Sequence, residues 1–569
     1  MKSNFYIKER IIIFTIFLVV CIFVTKLFLL QIVHSETYSS KADRQYSTPS
    51  SSLFERGTIY FQKKDGELVS ASTQSSGFKL AINPTKINNQ ELIYDKLSEL
   101  ISINEENFLE RASKKDDPYE EVANRLSKEE ADAISALKIE GLSIFREKWR
   151  FYPGGDLASH ALGFVGYKGE ELGGRYGLER QYEDILKRGG STPYVNFFAE
   201  VFSNINDSFF NKENKKGDIV TTIEPIVQGF LEKTIGEVKE KYDAKSVGGI
   251  IMNPKDGSIY ALSALPSFDP NNFSDAISNS IFSNPLVENV LEFGSVVKPL
   301  VMSAGLDTGV ITAYTKYNDT GSVIVEKKEI FNFDKKGRGV VTMQDVLGQS
   351  LNTGMVFVGR QLGKENMRDY LFSFGIKEKT GIDLPNETSG LVSNLNSPRE
   401  IEYANASFGQ GIAITPINLI RALSSLGNGG KLVVPHVVDR IKYENGTEEK
   451  FVYPIKDTMI KKETSEEITR MLVEVMDEFL QSGKGKIDRY SVAVKTGTAQ
   501  VADTVNRGYY KDKHTHSFFG YFPAYDPKFI ILFYVTEPKG VQYASVTWAN
   551  PFIETVKFLI NYYEVPPDR

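Results

Sequence analysis

At 569 residues the chain exceeds what one compact core supports, so two or more domains are expected. Its composition is globular, 41% hydrophobic and 25% charged with 12% aromatic residues, and a net charge of −6 offers no field for nucleic acid. The single cysteine, Cys21, leaves the rest of the chain without disulfides or a thiolate metal site.

Ile11 to Val33 is apolar apart from Thr15, Thr25, Lys26 and Gln31. A helix of that length, about 34 Å, crosses a bilayer core of roughly 30 Å. A cleaved signal peptide fits less well, because the stretch is long and no small-x-small site follows. Lys26 is accommodated by snorkelling toward the outer end. Lys2, Lys8 and Arg10 favour a cytoplasmic N-terminus, with Lys41 and Arg44 beyond the segment weakening the asymmetry. The expected order is therefore a short cytoplasmic tail over 1–10, a transmembrane signal anchor over 11–33 and a polar, Ser/Thr-rich stalk over 34–55.

A first extracytoplasmic domain is expected over 56–235, where short strands such as Phe78-Lys-Leu-Ala-Ile82 alternate with charged helical stretches and Gly-rich turns. A second, over 236–569, opens on a hairpin: 247–254 and 258–264 flank the turn signal Lys255-Asp-Gly257. Ile468, Met471, Leu472, Val475 and Phe479 recur at helical spacing, and strands are predicted over 490–494, 516–522 and 529–535 before a closing helix over 552–563. Hairpin, helical middle, three antiparallel strands and a terminal helix describe an α/β layered domain.

Three short motifs in this second domain carry chemistry. Ser295-Val-Val-Lys298 places a hydroxyl and an amine on one helical face. Pro299 sets the helix start near Ser295, since proline is tolerated only in a first turn. A serine needs an adjacent base, and a lysine serves when burial or a second cation makes it neutral. Ser350-Leu-Asn352, between helical stretches, brings a hydroxyl and an amide suited to relaying a proton and holding an amide substrate. Lys495-Thr-Gly497, followed by Thr498, belongs to a strand pattern that can lay an extended peptide along its edge. There Gly497 would admit the substrate backbone, Lys495 and Thr496 would meet a carboxylate, and the Thr498 N–H would point at an oxyanion. Two look-alikes are set aside: Ser76-Gly-Phe-Lys79 lies in strand text and Lys379-Thr-Gly381 in a turn. Of the five histidines, His514 and His516 have metal-ligand spacing but no carboxylate cluster beside them, and are read as polar residues entering a strand.

Ser-x-x-Lys, Ser-x-Asn and Lys-Thr-Gly in this order resemble the active-site signatures of penicillin-binding proteins and serine β-lactamases. The resemblance extends to nearly the whole chain after the anchor. Arg56-Gly-Thr-Ile-Tyr60, Arg150-Phe-Tyr-Pro153, Gly174-Arg-Tyr-Gly-Leu-Glu179, Gly217 to Glu224 and Pro266 to Asn271 are similar to class B penicillin-binding proteins, the monofunctional peptidoglycan transpeptidases. It implies an α/β architecture: an α+β pedestal, dimerisation-like domain, then a β-lactamase-like transpeptidase domain with an antiparallel sheet. It also implies a serine acyl-enzyme with Ser295 as nucleophile, Lys298 as base, Ser350 and Asn352 as relay and substrate contact, and Lys495 adding positive potential. Thr496, Gly497 and Thr498 would bind substrate. No metal and no cofactor are implied. The partners are stem peptides of a lipid-linked precursor, β-lactams, the membrane, a polytopic glycosyltransferase and other division proteins.

Asn352 and Ala406-Ser-Phe-Gly-Gln-Gly-Ile-Ala-Ile-Thr-Pro416 resemble the cell-division type more than the elongation type, which stays open as an alternative. A β-lactam-hydrolysing or sensing protein is disfavoured by the long pedestal, and a scaffold with a vestigial site by the intact motifs. Phe293, Val494 and the run Trp548-Ala-Asn-Pro-Phe552 depart from the family pattern. Val494 is expected to narrow the approach to the strand.

Overall fold

The computed structural model describes residues 55–168, 171–188, 216–276, 278–503, 506 and 508–569. The expected membrane segment 11–33, with the tail before it and nearly all of the stalk after it, lies outside the described residues. No helix among the described residues is long and apolar enough to cross a membrane.

The chain divides into two compact units. The smaller holds Glu55 and residues 75–149 among those described. Its strand over residues 75–82 pairs antiparallel with Glu120–Leu126, with Leu80 opposite Ala123. Helices Gln90–Ser98, Glu105–Ser113 and Lys128–Ala136 start on Asn89, Asn104 and Ser127, whose side chains accept N–H groups of the first turn. Leu80, Ile82, Leu97, Phe108 and Ile134 meet in one core. Ser76 and Lys79 sit in this strand, where residues three apart point to opposite faces.

The larger unit holds residues 56–74, 150–188 and 216–569. Within it, Arg56, Arg150 and Glu179 form a buried ion cluster. Glu179 takes Arg56 Nε at 2.6 Å on one oxygen, and Arg150 Nε at 2.6 Å and Ser72 Oγ at 2.7 Å on the other. Burial alone would raise the Glu179 pKa, but Arg150 and Arg56 outweigh it and hold the carboxyl below its usual range.

The main sheet has β1 (Ser246–Met252), β2 (Ile259–Leu265), β3 (Ala493–Ala502), β4 (Tyr509–Phe522) and β5 (Phe529–Thr536), in the order β2-β1-β5-β4-β3. Every neighbouring pair is antiparallel. β5 is buried at every position, as a central strand covered on both faces should be. Helices α1 (Pro225–Lys241) and α5 (Ala544–Tyr563) pack together, with Phe230 stacked on Phe558 at 3.9 Å. Phe552 and Trp548 of α5 stack on Phe518 and Phe533 of the sheet. On the other face, Thr469 of α4 (Lys462–Glu474) meets the Tyr521 hydroxyl at 2.8 Å. Helix α2 (Lys298–Asp307) packs with α4 and with α3 (Asn352–Leu362).

Three boundaries differ from expectation. β3 starts at Ala493 rather than Tyr490, because the Ser491 N–H is bound by the Asp568 carboxylate at 2.8 Å and its carbonyl by Ala524 N–H at 3.0 Å. β4 begins at Tyr509, well before His516, because it pairs back along β3 to Ala502. The closing helix starts at Ala544, whose N–H donates to Thr498 Oγ1 at 3.2 Å, and carries Pro551 in its interior. For β3 and the closing helix the cause is a partner distant in sequence; for β4 it is the adjoining strand.

Candidate active site

Gly294–Val297 forms one 3₁₀ turn that runs straight into α2, so Ser295 and Lys298 lie one turn apart as their spacing predicts. The turn is wedged by close backbone contacts. Gly294 has φ +62, and a Cβ there would come within 2.8 Å of Thr498 O. A Cβ on Gly497 would meet Phe293 O at 2.4 Å, and one on Gly409 would meet Gly294 O at 2.1 Å. The bare face of Gly497 thus seats β3 against the serine turn. Ser517 of β4 reinforces the seat by donating to Phe293 O at 2.8 Å.

Lys298 is fully buried, and its Nζ donates to Ser350 O at 2.6 Å and Asn352 Oδ1 at 2.8 Å, with Ser350 Oγ at 3.2 Å. Lys495, equally buried on the edge strand β3, reaches the same hydroxyl: Nζ to Ser350 Oγ is 3.0 Å. Two lysines therefore converge on one serine with no carboxylate bonded to either among the described residues. Burial, and secondarily the Lys495 charge, pushes the Lys298 ammonium well below the usual lysine range. Burial alone brings Lys495 to about 7. A lysine that loses its proton near neutrality is a usable base. Ser350 itself holds φ 56, a left-handed conformation rare for a residue with a side chain. It sits in the bend before α3, which turns its hydroxyl toward both amines.

All eight residues singled out from sequence belong to this neighbourhood. Ser295, Ser350, Asn352, Lys495, Thr496 and Thr498 line a cleft of about 930 Å³, Lys298 lies beneath it, and Gly497 lies behind. Asn352 donates its Nδ2 to Phe331 O at 2.9 Å, so its Oδ1 faces Lys298. The Thr498 hydroxyl is engaged as acceptor for the first N–H of α5. A larger groove, about 1320 Å³ and lined by residues such as Lys461 and Arg470, contains none of the three motifs. The site is therefore assigned on chemistry rather than size.

The cleft rim holds residues that motif reasoning passes over: Phe331, Phe333, Lys335, Arg338, Lys511 and Tyr543. Phe333 and Tyr543 meet edge to face at 5.7 Å from opposite walls. Their only sequence signal is an aromatic side chain in a polar loop, which carries no register.

The family departures prove to be internal. Phe293 is 1% exposed and sets its ring edge-to-face against Tyr534 at 6.3 Å, inside the unit. Val494 is fully buried opposite Gly520 in the ladder, where a Cβ on Gly520 would meet Phe552 at 2.4 Å and Val494 at 2.9 Å. Val494 also lines the cleft beside Lys495, while its side chain, with Phe552, fills space left by a glycine across the ladder. Lys379-Thr-Gly381 lies in a turn whose Thr380 and Gly381 N–H groups donate to the Glu387 carboxylate.

Comparison with known proteins agrees with this geometry. Residues 247–556 match the penicillin-binding protein transpeptidase domain, and residues 53–222 the penicillin-binding protein dimerisation domain. The chain is 28% identical to stage V sporulation protein D of Bacillus subtilis, covering 97% of this chain and 85% of that protein. It is 26% identical to the peptidoglycan D,D-transpeptidase FtsI of Buchnera aphidicola, covering 100% and 98% respectively. It shares the fold of penicillin-binding protein 2X from Streptococcus thermophilus, with a TM-score of 0.71 at 20% identity over 90% of this chain and 81% of that one. With a dimerisation domain ahead of a mixed α/β, β-lactamase-like transpeptidase domain, the chain belongs to the class B penicillin-binding proteins and is a transpeptidase of that family.

Proposed function

We propose that the chain cross-links peptidoglycan stem peptides through a Ser295 acyl-enzyme during septal wall synthesis. The observation that carries the reading is the convergence of Lys298 and Lys495 on the Ser350 hydroxyl, in the cleft that Ser295 also lines. In the first step Ser295 Oγ attacks the penultimate D-alanine carbonyl while neutral Lys298 takes its proton. The N–H groups of Ser295 and Thr498 hold the tetrahedral oxyanion. Collapse breaks the C–N bond, and the departing amine of terminal D-alanine receives a proton through Ser350. An amine from a neighbouring stem then attacks the ester, gives up its proton along the same path and leaves a new amide, freeing Ser295. Lys495 and Thr496 hold the substrate carboxylate, Asn352 the substrate amide, and a β-lactam ring is opened by the same attack.

Septal rather than elongation use is supported by Asn352 at the end of the second motif and by the run Ala406–Pro416, whose Phe408 and Gln410 line the cleft. The apolar segment 11–33 is the membrane anchor in this reading, with the pedestal over 56–235 and the catalytic domain over 236–569 outside, where a polytopic glycosyltransferase supplies new strands.

The test is covalent labelling of the detergent-solubilised chain with a fluorescent penicillin. Stable label on the native chain, absent from Ser295→Ala and strongly slowed in Lys298→Ala, is the expected result. Equal labelling of Ser295→Ala would overturn the assignment of the nucleophile, and rapid release of hydrolysed penicillin would turn the reading toward a β-lactamase.

A further inference from the structure

Behind the second motif lies a buried polar network that none of the three signatures contains. Asp319 ends the strand Lys316–Asp319, Asn332 follows the strand Lys328–Phe331, and Thr353 is the second residue of α3. All three are buried, Asp319 to 2% exposure and the other two to 1%. The Asp319 carboxylate accepts from Asn332 Nδ2 at 3.0 Å on each oxygen, from Thr353 Oγ1 at 2.7 Å, and from the N–H groups of Gly321 and Arg338 at 3.1 and 2.9 Å. Asn332 Oδ1 in turn accepts the Thr353 N–H at 3.2 Å.

These donors to Asp319 are two backbone N–H groups, an amide and a hydroxyl, all neutral. A buried carboxylate is costly unless every lone pair is occupied, so the arrangement has little freedom to rotate. Because the carboxylate takes the Asn332 NH₂, the oxygen of that amide is forced toward the first turn of α3. That clamps Thr353 from two sides and fixes the adjoining residue, Asn352. The end of the strand Lys328–Phe331 supplies the second half of the grip, since the Phe331 carbonyl, next to Asn332, takes Asn352 Nδ2. Asn352 Oδ1 is left with one direction, toward Lys298 Nζ at 2.8 Å.

We infer that Asp319, Asn332 and Thr353 are positioning residues for the acyl-transfer reaction, holding Asn352 in the amide orientation that keeps Lys298 aimed at the Ser350 hydroxyl. The inference rests on the acyl-transfer reading above. None of the three touches substrate; they act through Asn352 and Lys298.

The test uses the full chain and separates encounter from chemistry in fluorescent-penicillin acylation. Thr353→Val keeps the shape and removes the hydroxyl, whereas Thr353→Ser restores it. Loosening a catalytic group by a fraction of an ångström to 1 Å is expected to slow the acylation step about 10- to 100-fold for Thr353→Val, with the encounter constant within about twofold and Thr353→Ser near the native rate. Asp319→Asn, which retains volume, is expected to slow the same step and is read in place of Thr353→Val if the latter does not fold. A folded Thr353→Val that acylates at the native rate overturns the inference and leaves the function standing. So does a Thr353→Ser as slow as Thr353→Val. A native chain that takes no label overturns both.

Discussion

The larger unit buries basic side chains in two places and treats them in opposite ways. At Arg56, Glu179 and Arg150 the two guanidiniums share the Glu179 carboxylate and Arg56 also pairs with Glu183 at 2.7 Å, so two carboxylates balance two cations and the cluster is chemically quiet. At Lys298 and Lys495 two amines share a serine hydroxyl, with carbonyl and amide oxygens as their other partners. Burial is nearly the same in both. The difference lies in the partners: a carboxylate keeps buried cations charged, whereas neutral oxygens allow the desolvation penalty to be relieved by losing a proton. The residue type matters as well, since a guanidinium stays charged where an ammonium does not.

That contrast can be broken by exchanging the roles. The largest effect is expected from Lys298→Ala, which removes the base and should slow acylation by roughly 100- to 10,000-fold while the thermal transition stays near native; pre-steady-state labelling measures it. Next comes Glu179→Gln, which leaves Arg150 buried without its counter-charge and Arg56 with Glu183 alone, and should cost about 3–5 kcal/mol of stability. Denaturant unfolding reads that loss, and the molecules still folded should acylate normally, because the cluster has no part in the chemistry.

A smaller and more diagnostic effect is expected from Lys495→Met. Below about pH 7 the Lys495 charge opposes protonation of Lys298, so its removal raises the Lys298 pKa. The acid limb of the acylation profile should move to higher pH, and the plateau should fall because a substrate contact is lost. A limb that moves to lower pH would show that the two amines do not repel.

The smallest effect concerns a third buried base. His160 is held neutral by burial, its pKa pushed down to about 4, with Nε2 against Ile281 O at 2.9 Å. The unfolded chain takes up this proton near pH 6.5 and the folded chain only near 4. Its contribution is complete above pH 6.5 and is lost as the pH falls toward 4. Denaturation midpoints across that window should decline in the native chain and decline less in His160→Gln.

The motifs were legible because their spacing is local: Ser295 and Lys298 share a helical turn, and Lys495 to Thr498 lie on one strand. The opening hairpin and the existence of the three later strands also follow from alternation and turn chemistry, whereas their order in the sheet does not. What stayed hidden depends on partners far apart in sequence. That Val494 packs across from Gly520, and that Gly497 is pressed against Phe293 O, are contacts no local spacing announces. The Asp319, Asn332 and Thr353 network joins three segments that carry no shared spacing. The membrane segment is the converse case, plain from hydropathy yet outside the described residues.

The meeting of Gly294, Gly409 and Gly497 has a consequence for how this enzyme can change under selection by antibiotics. Where backbone presses on backbone, each alternative residue needs a new main-chain path, so these positions are closed to stepwise adaptation. The nucleophile's surroundings are inherited as a block. Altered drug affinity must instead be gained at the rim, where Phe333, Lys335 and Tyr543 present side chains that can be exchanged without moving the serine.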